Sequence, residues 1–306
     1  MIEKEFNIIS KADGLKISCI IVQPDCEPWA VLQLAHGISG CKERFLPFMY
    51  HMAQNGVLCV ANDHRGHGES VRLNQDLGYM YGVGYRALVA EMKSVTDYVR
   101  RGFPDIPIWL LGHSMGALAA SVYAHNWSQG LSGLILCGFP YTPLAFPAAA
   151  ICRLLSAAGL GRMRLTGIQT MASNILNRGF ASEGYQAWVC SDPEVRADFR
   201  NDPSCNFILT SDAAGTLMSL MSASVSSFGW RQPYLDMPVF LLSGADDPCA
   251  AHGRSPAKCA ELFKRKGFRA VVLKEYPAMR HEILNETAKE HVWDDILMAM
   301  SAKDLS

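Results

Sequence analysis

The stretch that most constrains this 306-residue chain runs from Ile106 to Ala120. Ile108 to Leu111 is a short apolar run that reads as a strand buried on both faces. Gly112-His113-Ser114-Met115-Gly116 follows, and then small residues at helical spacing from Ala117 to Ala124. A G-x-S-x-G between a strand and a helix is the setting of a nucleophile elbow. So tight a turn holds the serine in a strained backbone conformation and presses helix against strand, so side chains at 112 and 116 would clash. Ser114 then stands clear of the sheet. The helix N-terminus lies beneath it, where N–H groups favour developing negative charge. The rest of the chain must supply a base, an acid and an oxyanion hole.

Composition narrows the partners. A net charge of -1 provides no field that would draw the chain to nucleic acid or an anionic membrane. The length suits one large α/β domain with an insertion or two small domains, and 49% hydrophobic residues are ample for a sizeable core. Ten scattered cysteines form no C-x-x-C and no zinc-like Cys/His spacing. Cys19, Cys59 and Cys137 sit in strand-like runs, where a thiol behaves as a small hydrophobe. Reduced thiols suit a cytosolic chain, so a cytoplasmic location is expected. The segment Met1-Ile2-Glu3-Lys4-Glu5-Phe6 has no signal-peptide pattern, and no run is long enough to span a bilayer.

Taken in order, Phe6 to Ser10 and Leu15 to Gln23 read as strands joined at Asp13-Gly14. A strand from Trp29 to Ala35 ends at His36-Gly37-Ile38-Ser39-Gly40, and a helix carrying Phe45, Phe48, Met49 and Met52 follows. The strand Gly56 to Ala61 opens into the loop Asn62 to Ser70. Tyr85, Leu88, Val89, Met92, Val95 and Val99 mark a long helix that ends at Arg100-Arg101-Gly102, where dipole and capping favour such residues. After the elbow, Leu131 to Cys137 is another buried strand. From about Pro140 to Pro233 the spacing is helical and broken, with no strand-length apolar run. Val239 to Leu242 resumes the sheet, followed by a helix over Ser255 to Lys266 and a strand over Ala270 to Leu273. The last helix carries Val292, Ile296, Leu297 and Met300. Alternating strands and helices imply a mostly parallel, doubly wound sheet.

Three signatures carry a family resemblance: Gly112 to Gly116, the segment Asp63-x-Arg-Gly-His-Gly-x-Ser70, and Arg280-His281-Glu282-Ile283-Leu284-Asn285-Glu286. On these the chain resembles an α/β-hydrolase, and more narrowly the monoacylglycerol lipase and lysophospholipase group of the serine-aminopeptidase-like branch. Asn201 to Phe207 also resembles this group. The resemblance implies an α/β-hydrolase core over residues 1–140 and 233–306 with a helical cap over 141–232. It also implies hydrolysis of single-chain lipid esters through an acyl-enzyme.

That chemistry needs a serine activated by a base, with an acid holding the base in the right tautomer. His281 follows a late strand and comes last in the order Ser, Asp, His, which makes it the expected base. His36 and His67 also follow strands and are expected to brace loops. His113 is expected to point away from its neighbour, and His51, His125, His252 and His291 to be helix or surface residues. Asp246 and Asp247 both follow the strand ending at Leu242, and position alone does not separate them. The resemblance implies Asp247, three residues after Gly244. The N–H groups of Ile38 and Met115 are the expected oxyanion hole. The family's Glu-His pair after His-Gly is replaced here by Gly40 and Cys41. Asp63, Arg65 and His67 read as a hydrogen-bonded loop scaffold. No phosphate loop or metal constellation is read, so neither cofactor nor metal is expected.

Leu154, Leu155, Met163, Met171, Leu217, Met218, Leu220 and Met221 could line an acyl pocket or build the cap's own core. The cap is also where transient contact with a membrane surface is expected. Two alternatives remain: an aminopeptidase of the same branch, and a non-catalytic binding protein that kept the fold. Met115, where proline-releasing relatives carry tryptophan, argues against the first. An intact Ser/Asp/His set argues against the second.

Overall fold

The computed structural model describes residues 1–302, so the last four positions of the 233–306 segment lie outside it. Eight strands form one sheet: β1 (Ile2–Ile9), β2 (Lys16–Gln23), β3 (Ala30–Ala35), β4 (Val57–Asn62), β5 (Ile108–His113), β6 (Gly133–Cys137), β7 (Val239–Gly244) and β8 (Val271–Tyr276). Their order is β1-β2-β4-β3-β5-β6-β7-β8. The pairings of β1 with β2 and β2 with β4 are antiparallel, and the rest are parallel. This is the mostly parallel, doubly wound sheet that the alternation implied.

Among the described residues the α-helices are α1 (Leu46–Gln54), α2 (Gly84–Gly102), α3 (Met115–Trp127), α4 (Ala145–Leu155), α5 (Thr166–Leu176), α6 (Pro193–Asn201), α7 (Ser211–Ser224), α8 (Arg254–Arg265) and α9 (Lys289–Ser301). Strand side chains alternate between two apolar layers. Val31, Leu58, Leu110 and Leu136 point to one layer with residues of α2, α3 and α8. Leu32, Cys59, Leu111 and Cys137 point to the other with residues of α1 and α9. Central strands covered on both faces can therefore be apolar throughout.

Both edge strands run longer than their apolar content suggested. β1 starts at Ile2 rather than Phe6, pairing along its full length from Ile2 with Gln23 to Ile9 with Lys16. Its first four residues are exposed, so backbone pairing and not burial holds them, and charged residues are tolerated. β8 continues through Lys274-Glu275 to Tyr276 for the same reason.

Residues 141–232 contribute four helices, α4 to α7, and no strand to the sheet. α4 and α7 sink Ala145, Ala213, Leu220 and Met221 into the same apolar layer as α3. The Asp212 carboxylate accepts from the N–H groups of Met80 (3.0 Å) and Gly82 (3.2 Å), tying α7 to the loop before α2. The outer surface is different. Leu144, Phe146, Leu154, Ile168 and Met171 are each more than half exposed. Among the described residues no helix is long and apolar enough to cross a membrane.

Candidate active site

Ser114 stands between β5 and α3 with φ 55° and ψ −117°, a conformation that L-residues avoid and an elbow requires. The flanking glycines are explained by distance. A Cβ at Gly112 would lie 2.2 Å from the Gly116 carbonyl oxygen, and one at Gly116 would lie 2.0 Å from that of Ala35. Both obstacles are backbone and cannot turn aside. The Ser114 N–H donates to the Cys137 carbonyl at 2.9 Å, which pins the elbow to β6.

Three loop ends converge on this serine. The loop after β7 carries both aspartates, and its N–H groups tie it to the loop after β8: Ala245 donates to Tyr276 (2.9 Å) and Asp246 to Met279 (3.0 Å). The two carboxylates then part. Asp246 is exposed, whereas Asp247 is wholly buried. Asp247 Oδ2 lies 2.9 Å from His281 Nδ1, and Oδ1 accepts from the Cys249 N–H at 2.8 Å. An ionised carboxylate only accepts, so Nδ1 carries the proton and Nε2 keeps its lone pair. Burial pulls the His281 pKa down. The charge and hydrogen bond of Asp247 outweigh that and hold it above the ordinary histidine value.

The third loop follows β3. A Cβ at Gly37 would stand 3.1 Å from Ser114 Cβ, so this loop lies against the serine. Ile38 is the next residue. Met115 opens α3, whose first N–H groups have no intrahelical acceptor. His36 braces the loop from beneath. Its Nδ1 lies 2.7 Å from the Gly37 carbonyl, and its Nε2 accepts the His64 N–H at 2.9 Å. Those partners fix the Nδ1–H tautomer, and burial keeps the ring neutral by lowering its pKa well below normal.

The 63–70 loop is a scaffold. Asp63 accepts from the Lys42 N–H (2.8 Å), Lys42 Nζ (3.1 Å) and the Glu69 N–H (2.9 Å). Buried Arg65 bonds Glu91, Asp13 and the Met80 carbonyl, joining the first hairpin to α2. His67 Nδ1 lies 3.0 Å from the Arg65 carbonyl, and burial lowers its pKa to about 4.

Sequence reasoning missed or misplaced several groups. His113 does not stand idle: its Nε2–H donates to the His281 carbonyl at 3.1 Å, with ring centroids 4.8 Å apart. Burial, with His281 alongside, lowers the His113 pKa to about 4. Its place inside the elbow was the available signal. His64 has its ring 4.4 Å from that of His36, and burial lowers its pKa to about 3. Lys42 is wholly buried. His125 lies in α3 but is buried against Trp230, 3.9 Å between centroids.

A cavity of about 660 Å³ opens over Ser114 and His281. Its volume falls within the range of about 300–1,000 Å³ for sites that enclose a small organic ligand. Of the eight apolar residues singled out in the insertion, Leu217, Met218 and Met221 line it. Leu154, Met163 and Met171 instead face solvent, and Leu220 is buried in the core. Spacing alone cannot distinguish the two faces of a helix that is covered on one side. Ile175, Leu176 and Trp188 complete the apolar wall, and Gln186, Asn206, Arg44 and Glu282 add polar groups. Arg44 pairs with Glu282, and Gln186 Nε2 donates to Asn206 Oδ1 at 2.7 Å. Two smaller hollows, about 220 and 380 Å³, lie at the sheet edges away from these groups.

The topology and the strained serine between β5 and α3 define an α/β-hydrolase. Residues 26–288 match the model of the serine aminopeptidase S33 family, and the chain belongs to that family. Within it the chain groups with the monoacylglycerol lipases and lysophospholipases. It is 26% identical over 294 residues to a monoacylglycerol lipase of Mycolicibacterium smegmatis, covering 92% of each chain. It is 27% identical over 286 residues to the monoglyceride lipase of Rattus norvegicus, covering 90% of this chain and 86% of that one. Among solved structures, a thermostable carboxyl esterase from Bacillus coagulans shares the fold at a TM-score of 0.89, with 24% identity and 98% of both chains covered.

Proposed function

We propose that this protein is a serine hydrolase of carboxylic esters, cleaving single-chain lipid esters such as monoacylglycerols or lysophospholipids. The observation that supports it best is the Asp247–His281 pair beside Ser114 at the floor of a largely apolar cavity. His281 Nε2 takes the Ser114 proton as the hydroxyl attacks the ester carbonyl. The N–H groups of Ile38 and Met115 hold the oxyanion, and Asp247 stabilises the imidazolium. The protonated His281 then releases the alcohol, leaving an acyl-enzyme that a water activated by the same ring hydrolyses.

In this reading residues 141–232 are a cap whose inner face grips the acyl chain. Each added methylene buried there contributes up to ~0.8 kcal/mol, or roughly fourfold in kcat/KM until the pocket is full. Activity therefore rises from acetyl to medium-chain glycerol monoesters and then levels or falls. Monoacylglycerols or lysophospholipids turn over faster than triacylglycerols, whose extra chains the cap excludes. The measurement is kcat/KM across that series beside aminoacyl amides. A profile flat from acetyl upward removes the acyl-gripping role, and faster amide cleavage favours the aminopeptidase reading.

The exposed apolar residues of α4 and α5 are the face for transient contact with a lipid surface. Phe146→Glu with Leu154→Glu should lower sedimentation with phosphatidylcholine vesicles several-fold while hydrolysis of a soluble short-chain ester stays unchanged. Undiminished sedimentation would move the contact elsewhere.

A further inference from the structure

The structure brings three metal-binding side chains to one point that their spacing in the chain does not announce. Cys41 ends the loop that carries Ile38, and Asp202 and Cys205 stand just beyond α6. The two Sγ atoms lie 3.6 Å apart, and Asp202 Oδ2 is 3.5 Å from Cys205 Sγ and 3.9 Å from Cys41 Sγ. We propose that Cys41, Asp202 and Cys205 form a site for a thiophilic divalent cation of the zinc class, joining the cap to the oxyanion loop.

Geometry supports a cation. Zinc bonds of about 2.3 Å to sulfur and about 2.0–2.2 Å to oxygen, at tetrahedral angles, separate ligand atoms by about 3.8 Å (S to S) and about 3.5 Å (S to O). The observed triangle fits that face of a tetrahedron with shifts of a few tenths of an ångström. A disulfide needs only two groups and assigns no place to the carboxylate. Asp202 is also oriented: Oδ1 accepts from the Ser204 N–H (2.8 Å) and Ser204 Oγ–H (2.6 Å), which leaves Oδ2 for the thiols. Such outer partners are what aim a ligating carboxylate.

The surroundings suit the charge. Both thiols are buried and share an apolar cluster with Phe199. Binding releases both thiol protons to solvent. Two thiolates and a carboxylate then leave one negative charge around the cation, and the Arg44 guanidinium stands beside the cluster, 4.8 Å from the Phe199 ring centroid. Cys41 lines the large cavity, which gives a route of entry and room for a water as fourth ligand. The seam is already hydrogen-bonded: the Asn206 N–H donates to the Ser39 carbonyl at 2.9 Å, and Ser39 Oγ–H to the Phe207 carbonyl at 3.3 Å. A bound cation would clamp the loop that holds Ile38 to the cap.

The test uses the full chain, reduced and stripped of metal, titrated with Co²⁺ and then Zn²⁺. One equivalent of Co²⁺ should give thiolate-to-cobalt charge-transfer and tetrahedral d–d absorption, both abolished by one equivalent of Zn²⁺. Zn²⁺ should also raise the melting temperature in a concentration-dependent way. Loss of an outer partner costs about 10–100-fold in metal affinity, so loss of a ligand in Cys41→Ser or Cys205→Ser should cost at least ~100-fold. Exposed Cys26→Ser should change nothing. The proposal is overturned if the wild-type chain shows no saturable uptake, or if Cys205→Ser binds as tightly. A Cys41–Cys205 disulfide in the isolated protein, with no cobalt spectrum after reduction, overturns it equally.

Discussion

Ser114→Ala should abolish ester hydrolysis, lowering kcat on the order of 10⁶-fold, the scale on which a nucleophile that works as a unit with its base is lost. The reason is local. The serine's φ of 55° aims its hydroxyl into the cavity at a backbone cost that alanine meets equally, so the variant should melt at the wild-type temperature. A fluorophosphonate probe should label the wild-type chain alone, with the adduct on the peptide that contains Ser114. Turnover by a folded alanine variant would place the nucleophile elsewhere, and labelling of both proteins would do the same.

The second large effect separates two neighbouring carboxylates. Asp247→Asn should lower kcat by ~10²–10⁴, because an amide in place of the carboxylate lets Nδ1 of His281 lose its proton to the wrong tautomer. Asp246→Asn should cost little, since its side chain is exposed and Asp247 is the one in contact with the ring. The pH profile is an independent check. In the proposed role of base His281 acts only when neutral, so kcat/KM should rise with pH through the His281 pKa, which Asp247 holds above the ordinary value. Removing that negative charge moves the acid limb to lower pH while the plateau drops. If Asp246→Asn produced both changes and Asp247→Asn neither, the acid would be Asp246.

Much of this arrangement is legible because it is written in local pattern. Unbroken apolar runs marked the central strands, helical spacing marked α2 and α9, and the G-x-S-x-G marked a turn that only strand-turn-helix geometry accommodates. The edge strands were underestimated because pairing, not burial, holds their charged residues. The loop after β3, the elbow and the turn before α9 were recognisable one by one, since each is a short segment with its own backbone demands.

What those segments do to one another lay beyond the sequence. Asp246 and Asp247 are chemically identical neighbours, and only the packing of the β7 loop against the turn after β8 buries one and exposes the other. His113 gains its partner because β5 and the His281 turn meet at one end of the sheet. Met171 and Met218 read alike as adaptable apolar residues, yet one faces solvent and the other the cavity, according to which side of its helix the core covers. Cys41 and Cys205 are 164 residues apart, and their sulfurs meet only because the segment after α6 folds back onto the loop after β3. The sequence by itself determined the elements and the elbow, which depend on neighbours within a few residues. The tertiary structure decided pairings such as His113 with His281 and Cys41 with Cys205, because burial and contact between distant segments are properties of the packed chain and left no spacing to read there.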